Sequence, residues 1–289
     1  MEQVVYTNEG RILLREGEPE DLSGIMDLNQ DREECLFWQE REALKFWFDF
    51  QSQFKGRSLV AVLENKIIGH AELLFLPQDD IAYLCYLAVD QDFKRRKFAL
   101  EMIRYSMTRA KNMGASLYLV YPDSSESIGL YRGLDLDQEA TYQRLIIPLN
   151  SSSSVDYELE ELDYNDRAYQ EYSYGMAASV PASYLWEVIF AAQKRDELNF
   201  QGVAGIIKGR EASALLLWDG MAPSLYFREG DGYQLLSSLL PAIQDYLTKL
   251  GGRDQFELSL LSEVLNQWQL QEVVDYSIKG EIYQMVGNY

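Results

Sequence analysis

The sequence predicts an α+β protein with two tandem domains, each a central, mostly antiparallel sheet flanked by helices. The chain has 289 residues, whereas a domain has roughly 150. A small polar run, Asn150-Ser151-Ser152-Ser153-Ser154, has the composition of a linker. The segments before and after it show the same order of strand and helix patterns, although their residues are not alike. We therefore expect domains at 1–150 and 151–289.

Composition excludes several classes of protein. The chain is 47% hydrophobic and 25% charged, which is typical of a globular protein and not of a disordered one. Its 46 Asp and Glu outnumber its 26 Lys and Arg, and the net charge of −20 would repel nucleic acid and anionic membrane. No signal-peptide pattern begins the sequence and no apolar run approaches about 20 residues, so we expect a cytoplasmic protein.

Cysteine and histidine are scarce. Cys35 lies in a charged, helix-like stretch and Cys85 in an apolar run, which indicates two reduced thiols and not a disulfide. The only histidine, His70, excludes a multi-histidine metal centre. We therefore expect no metal.

In the first half, apolar runs indicate strands and apolar residues three and four apart indicate helices. Pro19 and the acids beside it are typical of a helix start, Glu64-Asn65 suits a hairpin turn, and Gly114 ends the longest helix. The strands are expected at 11–15, 58–63, 66–76, 81–89 and 116–121, with two closing strands out to 147. The helices are expected from 18, at 40–54, at 94–113 and at 125–132.

The second half repeats this order less regularly. Its strands are expected at 157–162, 202–208, 212–218, 224–227, 256–260, 273–278 and 281–286. Its helices are expected at 166–179, 182–197, 233–250 and 262–270, the third of them ending at Gly251-Gly252.

The junction after the strand at 81–89 carries the strongest functional signal. Free N–H groups at a helix N-terminus bind phosphate. Basic side chains there interact unfavourably with the helix dipole, so their presence suggests a bound anion. Four consecutive basic residues stand at the start of the helix expected here: Lys94, Arg95, Arg96 and Lys97. They favour a ligand with several phosphates; the alternative is a solvated helix start.

This junction resembles the signature of the GNAT superfamily, the acetyl-CoA-dependent N-acetyltransferases, which reads Val-x-Pro-x-x-[Gln/Arg]-x-x-Gly-x-[Gly/Ala]. The segment from Val89 to Ala99 fits the spacing, with Lys94 at the amide or basic position. Gln91 replaces the usual proline and Lys97 the usual glycine. The order of elements in the first half is also similar to that of the family. The resemblance implies that Leu87 and Val89 offer backbone groups to the pantetheine arm of acetyl-CoA, which is the co-substrate. The residues that it implies at the cofactor are Leu87, Ala88, Val89, Lys94, Arg95, Arg96, Lys97, Phe98 and Ala99.

A second landmark of the family is Asn-x-x-[Ala/Ser]-x-x-x-Tyr-x-x-x-Gly-Phe on a short helix. Ser127 and Tyr131 are in register with it, while Ser124 replaces the asparagine and Asp135-Leu136 replaces Gly-Phe. The resemblance implies that Ser124 and Ser127 lie at the cofactor and that Tyr131 protonates the departing thiolate. The alternative is that Tyr131 only packs in the core.

The general base remains open among several residues. Attack on a thioester needs a neutral amine, so a group must take its proton, directly or through water. His70 and Glu72 lie two apart on one strand and so share a face, while Asp79 and Asp80 follow in the turn. Cys85 as an acyl nucleophile is disfavoured, because it lies in an apolar run that we expect to be buried.

These patterns lead to an acetyltransferase that moves an acetyl group from acetyl-CoA to a primary amine of a small molecule or peptide. Acids around the acceptor site would attract a cationic amine, and the second half, which lacks the signature, would shape that site. The alternatives are a degenerate GNAT pair that binds CoA or a metabolite or serves as an interaction module, and transfer from another CoA thioester. Neither nucleic acid nor a membrane is expected as a partner, and an oligomer is compatible with the sequence.

Overall fold

The computed structural model of the protein describes residues 2–7, 10–30, 41–53, 56–77, 79–93, 97–148, 157–177, 180–195, 202–209, 212–218, 223–231, 234–250, 255–267 and 275–289. The chain divides into two compact units, Met1–Glu139 with Met285–Tyr289, and Ala140–Gln284. The serine run expected as a linker lies outside the described residues. Within them, no helix has the length and apolar character needed to cross a membrane.

The first unit is built on a sheet in which neighbouring strands follow the chain. Its strands are β1 (Gln3–Thr7), β2 (Gly10–Glu16), β3 (Arg57–Leu63), β4 (Lys66–Leu76), β5 (Ile81–Val89) and β6 (Leu117–Val120). All pairs from β1 to β5 are antiparallel, and β5 pairs with β6 in parallel. Its helices are α1 (Leu22–Asn29), α2 (Arg41–Gln53), α3 (Phe98–Met113) and α4 (Ser125–Arg132).

Local sequence signals explain most of these elements. Glu64 and Asn65 both have positive φ, 48° and 65°, as the tight hairpin between β3 and β4 requires. Gly114, with φ 98°, ends α3 and donates its N–H to the last turn of that helix. The strand β1 was not expected, and the start of the long helix at 94–96 lies outside the described residues.

The last strand of the first unit comes from the far end of the sequence. Two closing strands were expected before residue 147, but the structure has one, β7 (Asp137–Pro148). The strand β14 (Ser277–Asn288) supplies the other, because its residues from Met285 to Asn288 pair antiparallel with β6. Met285 and Val286 are buried there.

The strands of the second unit after β7 are β8 (Glu158–Glu161), β9 (Tyr174–Ala177), β10 (Val203–Lys208), β11 (Ser213–Trp218), β12 (Pro223–Phe227) and β13 (Gln255–Leu261). Five of them form a sheet in the order β8-β10-β11-β12-β9, and β13 pairs with β7. Its helices are α5 (Ala182–Gln193), α6 (Gln234–Leu250) and α7 (Ser262–Gln267).

Two expectations for the second unit were wrong. The helix expected at 166–179 is a single 3-10 turn, Ala168–Gln170, followed by β9. The N–H of Asn165 donates to the Asp163 side chain, and Arg167 has φ 51°, so a turn replaces the helix start. In place of the two strands expected at 273–278 and 281–286 the structure has the single strand β14, which begins at Ser277; residues 273 and 274 lie outside the described residues.

Candidate active site

The strand β5 pairs with two strands over its first half and, within the described ladders, with one strand over its second half. It pairs with β4 from end to end, but a bulge opposite Glu72 and Leu73 makes Cys85 the extra residue. Its ladder with β6 runs only from Ile81 to Leu84 and so ends at this bulge. The residues Leu87, Ala88 and Val89 therefore continue along β4 beyond the described ladder with β6.

The turn after β5 is organised by Asp90. Its carboxylate accepts hydrogen bonds from Lys66 Nζ at 2.6 Å and from the N–H of Asp92 at 3.0 Å. Its carbonyl accepts the N–H of Phe93 at 2.9 Å, which closes the 3-10 turn Gln91–Phe93. The hydrogen bond with Asp90 raises the pKa of the Lys66 ammonium, because Lys66 is only slightly buried and loses little hydration. This turn directs the chain from β5 toward α3.

Lys97 adopts the backbone conformation for which glycine is favoured. It precedes α3 with φ 67° and ψ 5°, and its carbonyl accepts the N–H of Glu101 at 3.1 Å. A non-glycine residue in this left-handed conformation costs about 1–2 kcal/mol. At the position where the family signature has glycine, the chain thus has a left-handed backbone, which favours glycine, together with an exposed ammonium group.

The other residues expected at the phosphates have different placements. Lys94, Arg95 and Arg96 lie outside the described residues. The Phe98 ring is buried with its centroid 5.8 Å from that of Phe93, and Ala99 is half-buried. Phe98 could therefore contribute backbone but not ring contacts to a ligand.

Ser124 and Ser127 shape the start of α4, the helix that carries Tyr131. Ser124 is the N-cap, because its Oγ accepts the N–H of Ser127 at 3.3 Å and lies 2.7 Å from the Ser127 hydroxyl. This capping explains the helix start without a ligand.

Tyr131 is 5% exposed. Burial raises the pKa of its phenol well above the usual range, and the nearby carboxylate of Asp123 raises it further. Tyr118 is close enough for the two phenols to interact electrostatically, and its own pKa is raised mainly by burial. Tyr131 therefore stays protonated at neutral pH, the state that a proton donor needs.

His70 and Glu72 lie together, as their spacing predicts, but in the interior. Glu72 Oε1 accepts hydrogen bonds from His70 Nε2 at 2.5 Å and from Ser58 Oγ at 2.5 Å. Gln51 Nε2 donates to Glu72 Oε2. His70 and Glu72 are both 0% exposed. The sequence interpretation missed Gln51 and Ser58, which meet Glu72 only once α2 and β3 pack beside β4.

Three further residues can be placed. Cys85 was expected to be buried but is exposed, because it is the extra residue of the bulge. Asp79 and Asp80 are exposed in the turn after β4, where the Asp80 carbonyl accepts the N–H of Ser116 at 2.8 Å. Among the described residues, no group of three or more acidic, histidine or cysteine side chains could hold a metal ion.

Comparison with solved structures identifies the fold of the whole chain. It is similar to a provisionally assigned acetyltransferase from Pyrococcus horikoshii, with a TM-score of 0.68 and 15% identity over 99% of this chain and 91% of that one. A GCN5-related N-acetyltransferase from Sphaerobacter thermophilus gives a TM-score of 0.58 at 12% identity, over 98% and 97% of the two chains. At these identities the likeness defines the class of fold, a mixed α/β fold of acetyltransferases.

The sequence identifies the family more directly. Residues 23–135 match the model of the acetyltransferase (GNAT) family, and this part of the chain is a GNAT domain. A search of curated proteins finds no match to the chain.

Proposed function

We propose that the protein transfers an acetyl group from acetyl-CoA to a primary amine of a small molecule or peptide. The observation that carries this proposal is the junction between β5 and α3 within the GNAT domain. There β5 extends beyond its ladder with β6, and Lys97, at the position where the family signature has glycine, has a left-handed backbone. These two features support a site for an extended, phosphate-bearing cofactor.

Different residues of the junction would bind different parts of the cofactor. Backbone groups of Leu87, Ala88 and Val89 would hold the pantetheine arm along the edge of β5, and the basic run from Lys94 to Lys97 would neutralise the phosphates. The N-terminus of α4, at Ser124 and Ser127, would lie at the cofactor as well. Charge-assisted hydrogen bonds to phosphate contribute more than neutral ones.

The chemistry requires a proton for the leaving group. The neutral amine nitrogen attacks the thioester carbonyl, and the C–S bond breaks. The thiolate takes the phenolic proton of Tyr131, and the proton released by the nitrogen leaves through water and restores the phenol. The Tyr131 phenol is protonated at neutral pH, because burial raises its pKa, and a general acid must be protonated when the leaving group departs. His70 and Glu72 are two of the candidate bases, but both are 0% exposed, so neither is accessible to an incoming amine.

The second unit would bind no CoA of its own. At its equivalent junction, after β12, the Arg228 N–H donates to the Asp231 carboxylate at 2.9 Å, and Glu229 lies between them. Two acids there would repel a pyrophosphate. We propose that this degenerate unit shapes the acceptor site, and the net charge of −20 over the whole chain favours a cationic amine as acceptor.

Calorimetric titration with acetyl-CoA, desulfo-CoA and 3′,5′-ADP, followed by an assay of CoA release with a panel of primary amines, tests this proposal. Lys94→Glu with Arg96→Glu is expected to weaken acetyl-CoA binding more than tenfold. The matched control is Arg228→Glu with Lys249→Glu, a double reversal of exposed charges in the second unit, which should leave the affinity unchanged.

Each outcome has a definite meaning. Equal affinities in the two double variants would contradict the phosphate assignment. Tight binding without turnover on any amine would favour the alternative, a CoA-binding module. Absence of binding in the wild type would refute the proposal.

A further inference from the structure

We propose that the buried cluster of Gln51, Ser58, His70 and Glu72, which we call the Glu72 network, is a positioning device that holds the β4–β5 bulge. This inference rests on the proposed function, because the bulge determines how β5 is presented to acetyl-CoA. It assigns His70 and Glu72 to the shape of the site and not to proton transfer.

The first argument is that the Glu72 carboxylate has no oxygen to spare. Oε1 accepts from Ser58 and His70, each at 2.5 Å, and Oε2 accepts from Gln51. All four side chains are at most 4% exposed. A general base must come within hydrogen-bond reach of the proton it takes. The Glu72 carboxylate is instead buried, and each of its oxygens already accepts a hydrogen bond. This arrangement is what a buried charge needs in order to be stable.

The second argument is the position of the network in the sheet. Glu72 pairs across the strands with Tyr86, and the bulge begins immediately after this pair. The Tyr86 hydroxyl donates to Asn29 Oδ1 at 2.5 Å, and Asn29 Nδ2 donates to the Ile25 carbonyl at 2.8 Å. The two residues that border the bulge are therefore tied to two helices, Glu72 to α2 through Gln51 and Tyr86 to α1 through Asn29.

The third argument is the consequence for β5. The ladder with β6 stops at Leu84, and the next residue, Cys85, is exposed. A bulge bends its strand and increases the local twist. Fixing Glu72 and Tyr86 thus fixes the point at which β5 departs from β6, which is where the proposed pantetheine site begins.

Gly56 packs against Gln51 and so fixes the end of α2, where Gln51 enters the Glu72 network. The Gly56 N–H donates to the Gln51 carbonyl at 2.8 Å, and a Cβ on residue 56 would lie 2.9 Å from Gln51 Cβ. A methyl group at this position would displace Gln51 without removing any group from the network. Gly56→Ala therefore perturbs the network through geometry alone.

The test uses Cys85 as a reporter, in full-length protein with Cys35 replaced by serine so that Cys85 is the sole thiol. Gln51→Met and Gly56→Ala are each expected to change the rate of Cys85 alkylation by iodoacetamide at least threefold and to weaken acetyl-CoA binding about tenfold. Glu72→Gln should do the same, while the pH profile of acetyl transfer keeps its shape. The matched control is Gln143→Met, which removes a Gln–Glu hydrogen bond of 2.7 Å to Glu281 in the second unit and should change none of these readouts.

A base would behave differently. If Glu72→Gln abolished turnover and one limb of the pH profile while Cys85 reactivity and acetyl-CoA affinity were unchanged, the positioning role would be overturned. Wild-type behaviour of both Gln51→Met and Gly56→Ala would overturn it as well, and these two variants decide the matter if Glu72→Gln does not fold. Cys85 alkylation does not depend on acetyl-CoA, so failure of the proposed function would leave this test of the bulge intact.

Discussion

The strand that completes the first unit offers a direct test of its architecture. Met285 is 0% exposed and pairs with Val120 of β6, whereas Ile278, on the same strand β14, is 58% exposed. Replacing a buried methionine with alanine costs about 2–5 kcal/mol through lost apolar contacts and the remaining cavity. A surface change of the same kind stays within about 0.5 kcal/mol. Met285→Ala should therefore lower the free energy of unfolding by several kcal/mol, and Ile278→Ala should not.

The assay must show which unit responds. Urea denaturation gives the free energy of unfolding, and native-state hydrogen exchange of the amides from Leu117 to Val120 reports on β6 itself. Because total stability is typically about 5–15 kcal/mol, a loss of this size should open β6 more often and weaken acetyl-CoA binding. Wild-type exchange in β6, together with an unchanged urea midpoint for Met285→Ala, would refute the assignment of this strand to the first unit.

Four further outcomes follow from single residues. In urea titrations, Lys97→Gly should raise the free energy of unfolding by up to about 1.5 kcal/mol, since it relieves about 1–2 kcal/mol of left-handed strain but costs about 0.5–1 kcal/mol of glycine entropy. Gly114→Ala, at φ 98°, should lower the free energy of unfolding by about 1–2 kcal/mol. Tyr131→Phe should reduce kcat about 100-fold with little change in acetyl-CoA affinity, and equal turnover would return Tyr131 to a packing role. Burial alone would raise the pKa of Asp21, but its hydrogen bonds with Arg15 lower it overall. The resulting stability is complete above the unfolded pKa of about 3.9 and is lost as the pH falls below it, so the urea midpoint should fall more in the wild type than in Asp21→Asn between pH 5 and 2.

Local signals made much of the first unit predictable. The strands β3, β4 and β5 are continuous apolar runs whose hairpin turn is set by Glu64 and Asn65, and α4 begins at a serine cap. The partner of β6 was not predictable in this way, because pairing between Leu117–Val120 and Met285–Asn288 joins segments far apart in sequence. A fragment of residues 1–150 would lack that strand.

The prediction of a helix at 166–179 was wrong for a local reason that amino-acid composition does not reveal. Residues typical of helices surround Arg167, yet its left-handed φ of 51° and the Asx turn at Asp163 interrupt the helical path. Helical propensity was therefore overridden by a turn that side-chain hydrogen bonds stabilise.

The Glu72 network shows why even a correct hairpin does not reveal a site. Counting back from the turn, where Leu63 pairs with Lys66, places Ser58 opposite Ala71. A bulge between Ala61 and Val62 shifts the register by one, so Ser58 pairs with Glu72. One inserted residue exchanges the neighbours on each face of a strand. Sequence spacing could predict that His70 and Glu72 share a face, but not which donors meet them there.

Lys97 replaces the family glycine at the cost of backbone strain and adds a positive charge to the site. A lysine at this position could supply charge or obstruct the phosphate loop, and the backbone at Lys97 has the left-handed conformation in which glycine is favoured. The chain accepts a strain of about 1–2 kcal/mol there and in return places an ammonium group at the start of α3. If this charge contributes to the site, Lys97→Gly will make the protein more stable and its acetyl-CoA binding weaker. A variant that gains stability and keeps its affinity would mean that the lysine is tolerated at this position and does not contribute to binding.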